Sequence, residues 1–558
     1  MNTSIHIGQL ASVRHRVCRR RGLGLMVWGL VLSGAIMFAM PLYAHLEEGT
    51  VPLPGPIPST LYEIELSYIG DRATPTVALS GPPAVMPFLP YRPFAPILDL
   101  LPLLGETRPF GSCQEPMIRV EDGIQLQRIA GREERCGQRI PLHRAEIAVD
   151  LLSYETLRIR GRATGSVVVA VEEDVAASRR EDNLAIATVT GPFDLAIPLK
   201  EAGRRLDLRK LTALVVSTTA ANAHIVFDRI DAVQPRPAPA TPAETGFWVW
   251  TYRDAIRDPA PMIQTCRAQG CSRVLIQMPS QTDAEAVWIG YASLLKTVQE
   301  AGIAVLALDG YPEAIQEPHR LADKIQRLLA LAMPGVLSGI QLDLEPYLLP
   351  GFLTDEAQLL GYIETIEMIK EAIGGRTRLS MVIPFWLASP TIAGRPLAFA
   401  VMDRADEVAV MSYRTDVDEV QDIAEDILRY GDVMGTPVWL AVETTPLPVE
   451  QHVVLRRAMQ SDRADALVDS ERKIFQWLPL AEGSVRLMKP EWFRIHHRFT
   501  VRPERLTFAG RSQAEVSAAV KQMGETLPHR SFSGVIIHDL DGFRALAASR
   551  GTNDRRER

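Results

Sequence analysis

From Phe247 to His538, short apolar runs and amphipathic segments take turns. The runs are Phe247 to Trp250, Arg273 to Met278, Ala304 to Leu308, Gly339 to Asp343, Leu379 to Ile383, Glu407 to Ser412, Pro437 to Val442 and Gly534 to His538. They have the length of strands, and what lies between them has the period of helices. The clearest helix runs from Thr354 to Ile373, with Thr354 as N-cap, Asp355 and Glu356 in the first turn, Leu359, Ile363 and Ile366 on one face, and Gly374-Gly375 as the stop. Eight strand-helix units in about 300 residues predict a (β/α)8 TIM barrel over residues 246–548. Residues 446–505 exceed an ordinary connection, and Trp477, Trp492, His496 and His497 make that insert a predicted lid or cleft wall.

Upstream of the barrel the composition changes several times. A basic cluster from Arg14 to Arg21 precedes an uncharged run from Gly22 to Ala44, so residues 1–44 read as an export signal. Pro41-Leu-Tyr-Ala44 suits signal cleavage, and the run is also long enough for a membrane anchor; either way the bulk of the chain lies outside the cytoplasm, periplasmic or secreted. Residues 45–110, rich in Pro as in Val51-Pro-Leu-Pro-Gly-Pro56, are expected to be an extended spacer. Residues 111–234 hold short β-rich runs such as Ser166-Val-Val-Val-Ala-Val171 and His224-Ile-Val-Phe227, which predict an antiparallel β-sandwich. A Pro-rich linker over 235–245 follows.

Beyond Cys18 the chain has Cys113, Cys136, Cys266 and Cys271, an even number that suits two disulfides in an oxidising compartment. Proximity favours Cys113 with Cys136 and Cys266 with Cys271; free buried thiols are the alternative, and the spacings do not suit zinc. The net charge is −7 and Lys and Arg are scattered, which excludes a nucleic-acid partner. No GxSxG elbow, HExxH helix or Cys-His pair points to an esterase or peptidase. No metal or organic cofactor is implied.

Barrel chemistry comes from the C-terminal ends of the strands. Those ends carry Trp248 and Trp250, Gln277, Asp309, Asp343 and Glu345, Trp386, Tyr413, Glu443, and His538 with Asp539. Asp343 and Glu345 alternate on one face, and one carboxyl beside another raises a pKa and keeps a proton available for acid catalysis. Aromatic faces stack on sugar rings, so Trp248, Trp250, Gln277, Trp386, His538 and Asp539 are candidate substrate-binding residues. Asp309, before Gly310, reads as a turn former.

Ser338-Gly-Ile-Gln-Leu-Asp-Leu-Glu345 resembles a degenerate form of the DxxDxDxE strand of glycoside hydrolase family 18, the chitinases and their relatives, and Met411-Ser-Tyr413 is similar to that family's strand-six motif. The resemblance implies that Glu345 protonates the leaving oxygen, Asp343 adjusts its pKa and holds an acetamido group, and Tyr413 bonds the acetamido oxygen. Ser338 and Gln341 replace the first two acids, Leu344 stands where an aromatic is usual, and His538 stands in place of a Trp. Glu345 and Glu443 also resemble the acid/base and nucleophile of the largest clan of retaining glycosidases, whose carboxyls stand roughly 5–5.5 Å apart. Val442-Glu-Thr444, Thr507 to Gly510 and Ile537-His538 resemble exported bacterial glycosidase-like barrels. Leu157-Arg-Ile-Arg-Gly161 and the runs after Leu206 and Ile225 are similar to galactose-binding-like jelly rolls, so residues 111–234 are expected to bind carbohydrate or to act as a structural spacer.

The expectation is therefore a multidomain exported glycoside hydrolase-like protein acting on a polysaccharide, with Glu345, Asp343, Glu443 and Tyr413 as catalytic candidates and membrane contact only through an N-terminal anchor. The alternative is a non-catalytic carbohydrate-binding or cell-envelope scaffold protein on a degenerate glycosidase barrel.

Overall fold

The computed structural model describes residues 97–113, 123–129, 135–142, 149–173, 183–234, 242–349 and 352–458, most of 464–553, and three earlier strands at Thr50–Pro52, Glu63–Ile69 and Arg72–Thr76. The export signal expected over residues 1–44 lies outside the described residues.

Eight parallel strands close into a barrel: β1 (Glu244–Val249), β2 (Arg273–Gln277), β3 (Ala304–Asp309), β4 (Gly339–Leu342), β5 (Arg378–Pro384), β6 (Glu407–Met411), β7 (Val438–Glu443) and β8 (Phe532–His538), with β8 pairing back onto β1. Strands β4, β6 and β7 are buried at every position, as both faces of a parallel barrel are covered. The interior is filled by Trp248, Leu275, Leu306, Leu308, Met411 and Trp439 among others. At the N-terminal end of the strands the Arg273 guanidinium lies 3.7 Å from the Trp439 ring centroid and 2.7 Å from the Glu407 carboxylate, closing the barrel floor. The helix expected from Thr354 runs Glu356–Ile373. Its N-cap is Asp355, which accepts from the Ala357 N–H at 3.0 Å, because Thr354 is taken up in the preceding turn Phe352–Thr354. Gly374, at φ 58°, ends it.

Ahead of the barrel, strands among the described residues between 97 and 233 form one eight-stranded antiparallel ladder. Two separate sheets were expected; here the 18-residue strand Thr156–Glu173 pairs with Asn222–Val233 along its first half and Leu211–Thr218 along its second, so the would-be layers share one long strand. Asn183–Pro198 lies on its other edge. Strands Ile97–Asp99 and Arg108–Gly111 belong to this ladder although the sequence reading has them in the spacer.

A third, seven-stranded sheet joins the two ends of the chain. The barrel insert contributes Glu450–Arg457, Ala466–Asp469, Ile474–Trp477 and Glu491–Val501, and Thr50–Pro52, Glu63–Ile69 and Arg72–Thr76 complete it. The expected extended spacer therefore supplies strands. Glu63-Ile-Glu-Leu-Ser-Tyr-Ile69 has period-two alternation, but its partner Glu450–Arg457 is at the far end of the sequence, where local reasoning does not reach.

The antiparallel domain docks on the barrel helix Val417–Met434. Arg429 reaches Asp150 at 2.6 Å and the Ser153 hydroxyl at 2.6 Å, and Arg209 reaches Asp426 at 2.7 Å. Cys113 is bonded to Cys136 and Cys266 to Cys271, with Cα–Cα distances of 4.5 and 4.9 Å. Among the described residues no helix is long and apolar enough to cross a membrane, and no group of three or more His, Cys, Asp or Glu could hold a metal ion.

Candidate active site

Strand β4 stops at Leu342, and the chain turns so that Asp343 and Glu345 sit over the C-terminal mouth of the barrel. The turn is held from β3: the Asp343 N–H donates to the Asp309 carbonyl at 2.8 Å. It also passes very close to Gly310, where a Cβ would fall 2.0 Å from the Asp343 carbonyl oxygen. Asp309, expected to be a turn former, accepts from the Gly310 N–H and forms an ion pair with Lys324 at 2.6 Å. Glu345 adopts φ 47°, ψ 44° directly before Pro346, a left-handed conformation that costs a non-glycine residue on the order of 1–3 kcal/mol.

The two carboxyls differ in their partners. Burial, then the charge of Glu345, pushes the Asp343 pKa well above the usual carboxylate range, while His538 pulls it down. One buried Asp343 oxygen, Oδ1, has no hydrogen-bond partner. Glu345 is also raised by burial, against the pull of the Tyr347 hydroxyl, which donates to Oε1 at 2.5 Å, and of His538. Tyr347 was not foreseen; its one sequence signal is an aromatic two residues past the acid. Its ring packs edge-on against Trp386 with centroids 5.0 Å apart, which brings Trp386 into the site.

Glu443, at the end of β7, is saturated. Its Oε1 accepts from the Thr444 N–H (2.8 Å), the Thr445 N–H (2.6 Å) and the Thr445 hydroxyl (2.7 Å). Its Oε2 lies 2.8 Å from Nδ1 of His538. The backbone at Glu443 is further bridged to Thr507, and the Phe508 N–H donates to the Glu443 carbonyl at 2.8 Å, so the Thr507–Gly510 run buttresses this strand end.

His538 links the two carboxylate groups. In the neutral imidazole the Trp250 indole N–H can donate to Nε2 at 3.0 Å, with the ring proton then on Nδ1, which lies 2.8 Å from Glu443 Oε2. Burial lowers the imidazole pKa, but the charge and hydrogen bond of Glu443, with Asp539 and Asp343, outweigh it and lift the value to about 9. A second proton on Nε2 therefore competes with the indole for the same position. Tyr413, two residues past the end of β6, is fully buried with its ring centroid 5.9 Å from that of His538, and its hydroxyl has no hydrogen-bond partner.

The remaining candidates separate. Trp250 and Trp386 are half-buried at the mouth, and Gln277 is half-buried at the end of β2. Trp248 turns into the barrel core and donates to Gln341 Oε1 at 2.5 Å; Gln341 in turn donates to the Ser380 hydroxyl at 2.9 Å. Asp539 accepts from the Gly542 N–H at 2.7 Å, capping the last helix.

No family model matches the sequence, and no curated protein matches it. Among solved structures, the spore cortex-lytic enzyme SleL of Bacillus megaterium QM B1551 is similar at 10% identity and a TM-score of 0.30, over 58% of this chain and 77% of that one. A chitinase from Bacteroides thetaiotaomicron is similar at 10% identity and a TM-score of 0.32, over 54% and 91%. A class V chitinase from Nicotiana tobaccum is similar at 11% identity and a TM-score of 0.31, over 55% and 97%. Such scores carry no weight for chemistry, and the barrel rests on this chain's own strand pairing. By its closed parallel barrel and its two strand-end motifs, the chain resembles glycoside hydrolase family 18, in degenerate form at Ser338, Gln341, Leu344 and His538.

Proposed function

We propose that this protein is an exported glycoside hydrolase acting on a polysaccharide that contains N-acetylated amino sugars. The observation that carries the reading is a difference in occupancy. Both Glu443 oxygens are already engaged, whereas Asp343 Oδ1 and the Tyr413 hydroxyl are buried and unpartnered. A carboxylate with four polar neighbours is a poor nucleophile, and a free acceptor beside a free donor matches the N–H and C=O of an acetamido group.

In this reading Glu345 donates its carboxyl proton to the glycosidic oxygen while the substrate's acetamido oxygen attacks the anomeric carbon. Asp343 accepts the acetamido N–H and Tyr413 donates to its oxygen. Water then opens the cyclic intermediate with Glu345 as base, returning the proton. Glu443 orients His538, and Trp250, Trp386, Gln277 and His538 contact the sugar. The antiparallel domain would act as a carbohydrate-binding module. Two disulfides favour an oxidising compartment, in keeping with the export signal.

The test is cleavage of amino-sugar and neutral glycans by the wild-type, Glu345→Gln and Glu443→Ala proteins. We expect Glu345→Gln to lose 100-fold or more, roughly the contribution of a general acid, and azide not to rescue Glu443→Ala. Azide rescue of Glu443→Ala would overturn substrate assistance. A second reading, a non-catalytic carbohydrate-binding envelope protein, is favoured by the neutral Trp248–Gln341–Ser380 chain that stands where the family has an acid. Glycan binding without cleavage would select it.

A further inference from the structure

We infer that Tyr347, held by Trp386, is a positioning residue for the acid: it reserves Oε1 of Glu345 as an acceptor and so makes Oε2 the oxygen that carries the transferable proton. The inference rests on the proposed role of Glu345, and it adds the residue that selects between that carboxyl's two oxygens.

Three observations combine. The Tyr347 hydroxyl is 2.5 Å from Glu345 Oε1, and a phenol with one proton can donate only once, so this bond commits it. Glu345 is the N-cap residue of the short turn Pro346–Leu348, with a left-handed backbone that points the acid back toward the third residue of its own Glu-Pro-Tyr sequence. The bond is therefore local, made by the same turn that strains Glu345. Trp386 follows β5 and meets the Tyr347 ring at 77° with centroids 5.0 Å apart, an edge contact that resists rotation of the phenol away from the carboxyl.

The chemistry follows from the occupied oxygen. A proton on Oε1 would face the Tyr347 hydroxyl, and that hydroxyl would have to turn and lose its acceptor. With Oε1 accepting, the neutral acid carries its proton on Oε2, and transfer to the glycosidic oxygen leaves a carboxylate whose Oε1 is already stabilised by a donor. The same bond opposes the burial of Glu345 by favouring the charged form. Tyr347 thus balances the two duties of one carboxyl, acid in the first step and base in the second.

The experiment is a 13C NMR titration of Glu-labelled full-chain protein, with the Glu345 resonance assigned by its absence in Glu345→Gln. It is run for wild type, Tyr347→Phe, Trp386→Ala and Trp386→Phe beside pH profiles of kcat and kcat/KM. Tyr347→Phe should move the Glu345 titration to higher pH and carry the alkaline limb of kcat/KM with it, with kcat down about tenfold and KM little changed. Trp386→Ala should move both in the same direction by less, and Trp386→Phe should restore them. An unmoved Glu345 titration in Tyr347→Phe overturns the inference, as does a fall in stability with no change in either profile. If no glycan is cleaved, the titration still decides Tyr347, and the loss falls on the proposed function instead.

Discussion

His538 is the residue on which the site's charge depends. It faces Glu443 and Asp539 from its own end of the barrel and Asp343 and Glu345 from across it, and its charge lowers the pKa of both members of the acid pair. Replacing it with Gln removes that pull, so Asp343 and Glu345 both hold their protons to higher pH. The alkaline limb of kcat/KM, which reports loss of the acid's proton, is expected to move upward in His538→Gln. Glycan cleavage assayed across pH checks this; an unmoved or lowered limb would mean that the charge of His538 does not act on the acid, and loss of the limb with the activity would mean that His538 itself is the acid. Asp343 and Glu345 were named from strand alternation and Tyr413 from its motif, but β4 ends at Leu342 and it is the turn after it, left-handed at Glu345, that places the two carboxyls. The partners that decide their roles were not legible in the sequence. Thr445 saturates Glu443 and Tyr347 engages Glu345 through backbone turns, whose geometry no spacing rule supplies.

At the scale of elements, the connections after β3 and before β8 are as instructive as the strands. Gly310 lies where a Cβ would meet the Asp343 carbonyl carbon at 2.2 Å and its nitrogen at 2.7 Å. These are backbone atoms and cannot swing aside. Gly310→Ala should displace the Asp343 turn and cut kcat about 100-fold, the cost of misplacing a reacting group by about 1 Å, with the barrel's circular dichroism unchanged. The loop into β8 is clamped to the helix Val417–Met434 by His529, whose Nδ1 lies 2.8 Å from Asp432 and Nε2 3.1 Å from Glu425. Burial lowers the His529 pKa, but its bonds to Asp432 and Glu425 outweigh that and lift it from 6.5 to about 9. A folded-state pKa above the unfolded value means the clamp's contribution is complete below pH 6.5 and lost as pH rises through about 9. Thermal unfolding should therefore show a Tm falling between these limits, and His529→Gln should flatten that fall.

At the scale of the whole molecule, the barrel and the antiparallel domain share one hydrophobic cluster and a partly buried ionic seam. Arg429 is the centre of that seam, with a side chain 9% exposed between Asp150 and Asp426. Its partners Asp150 and Asp426 stay about one-third exposed (34% and 33%) and Asp426 keeps Arg209, so loss of Arg429 removes charge-assisted hydrogen bonds, about 1.5–3 kcal/mol. Arg429→Met is therefore expected to split a single calorimetric transition into two, with the antiparallel domain melting first. One transition at the original temperature would mean that the apolar contacts alone couple the domains.

What the sequence determined is what short-range patterning encodes. Eight apolar runs separated by amphipathic helices encode a parallel sheet covered on both faces, and eight strand-helix units in about 300 residues match its closure into a barrel with polar groups at the strand ends. The disulfide partners Cys113 with Cys136 and Cys266 with Cys271 were equally local. Tertiary structure decided the rest. It wove Glu63–Ile69 into a sheet with Glu450–Arg457, merged two expected layers through one long strand, sent Trp248 inward while Trp250 stayed at the mouth, and engaged every oxygen of Glu443 while leaving Asp343 Oδ1 free. Each of these depends on which groups meet across long stretches of chain, and side-chain period carries no record of a partner that distant.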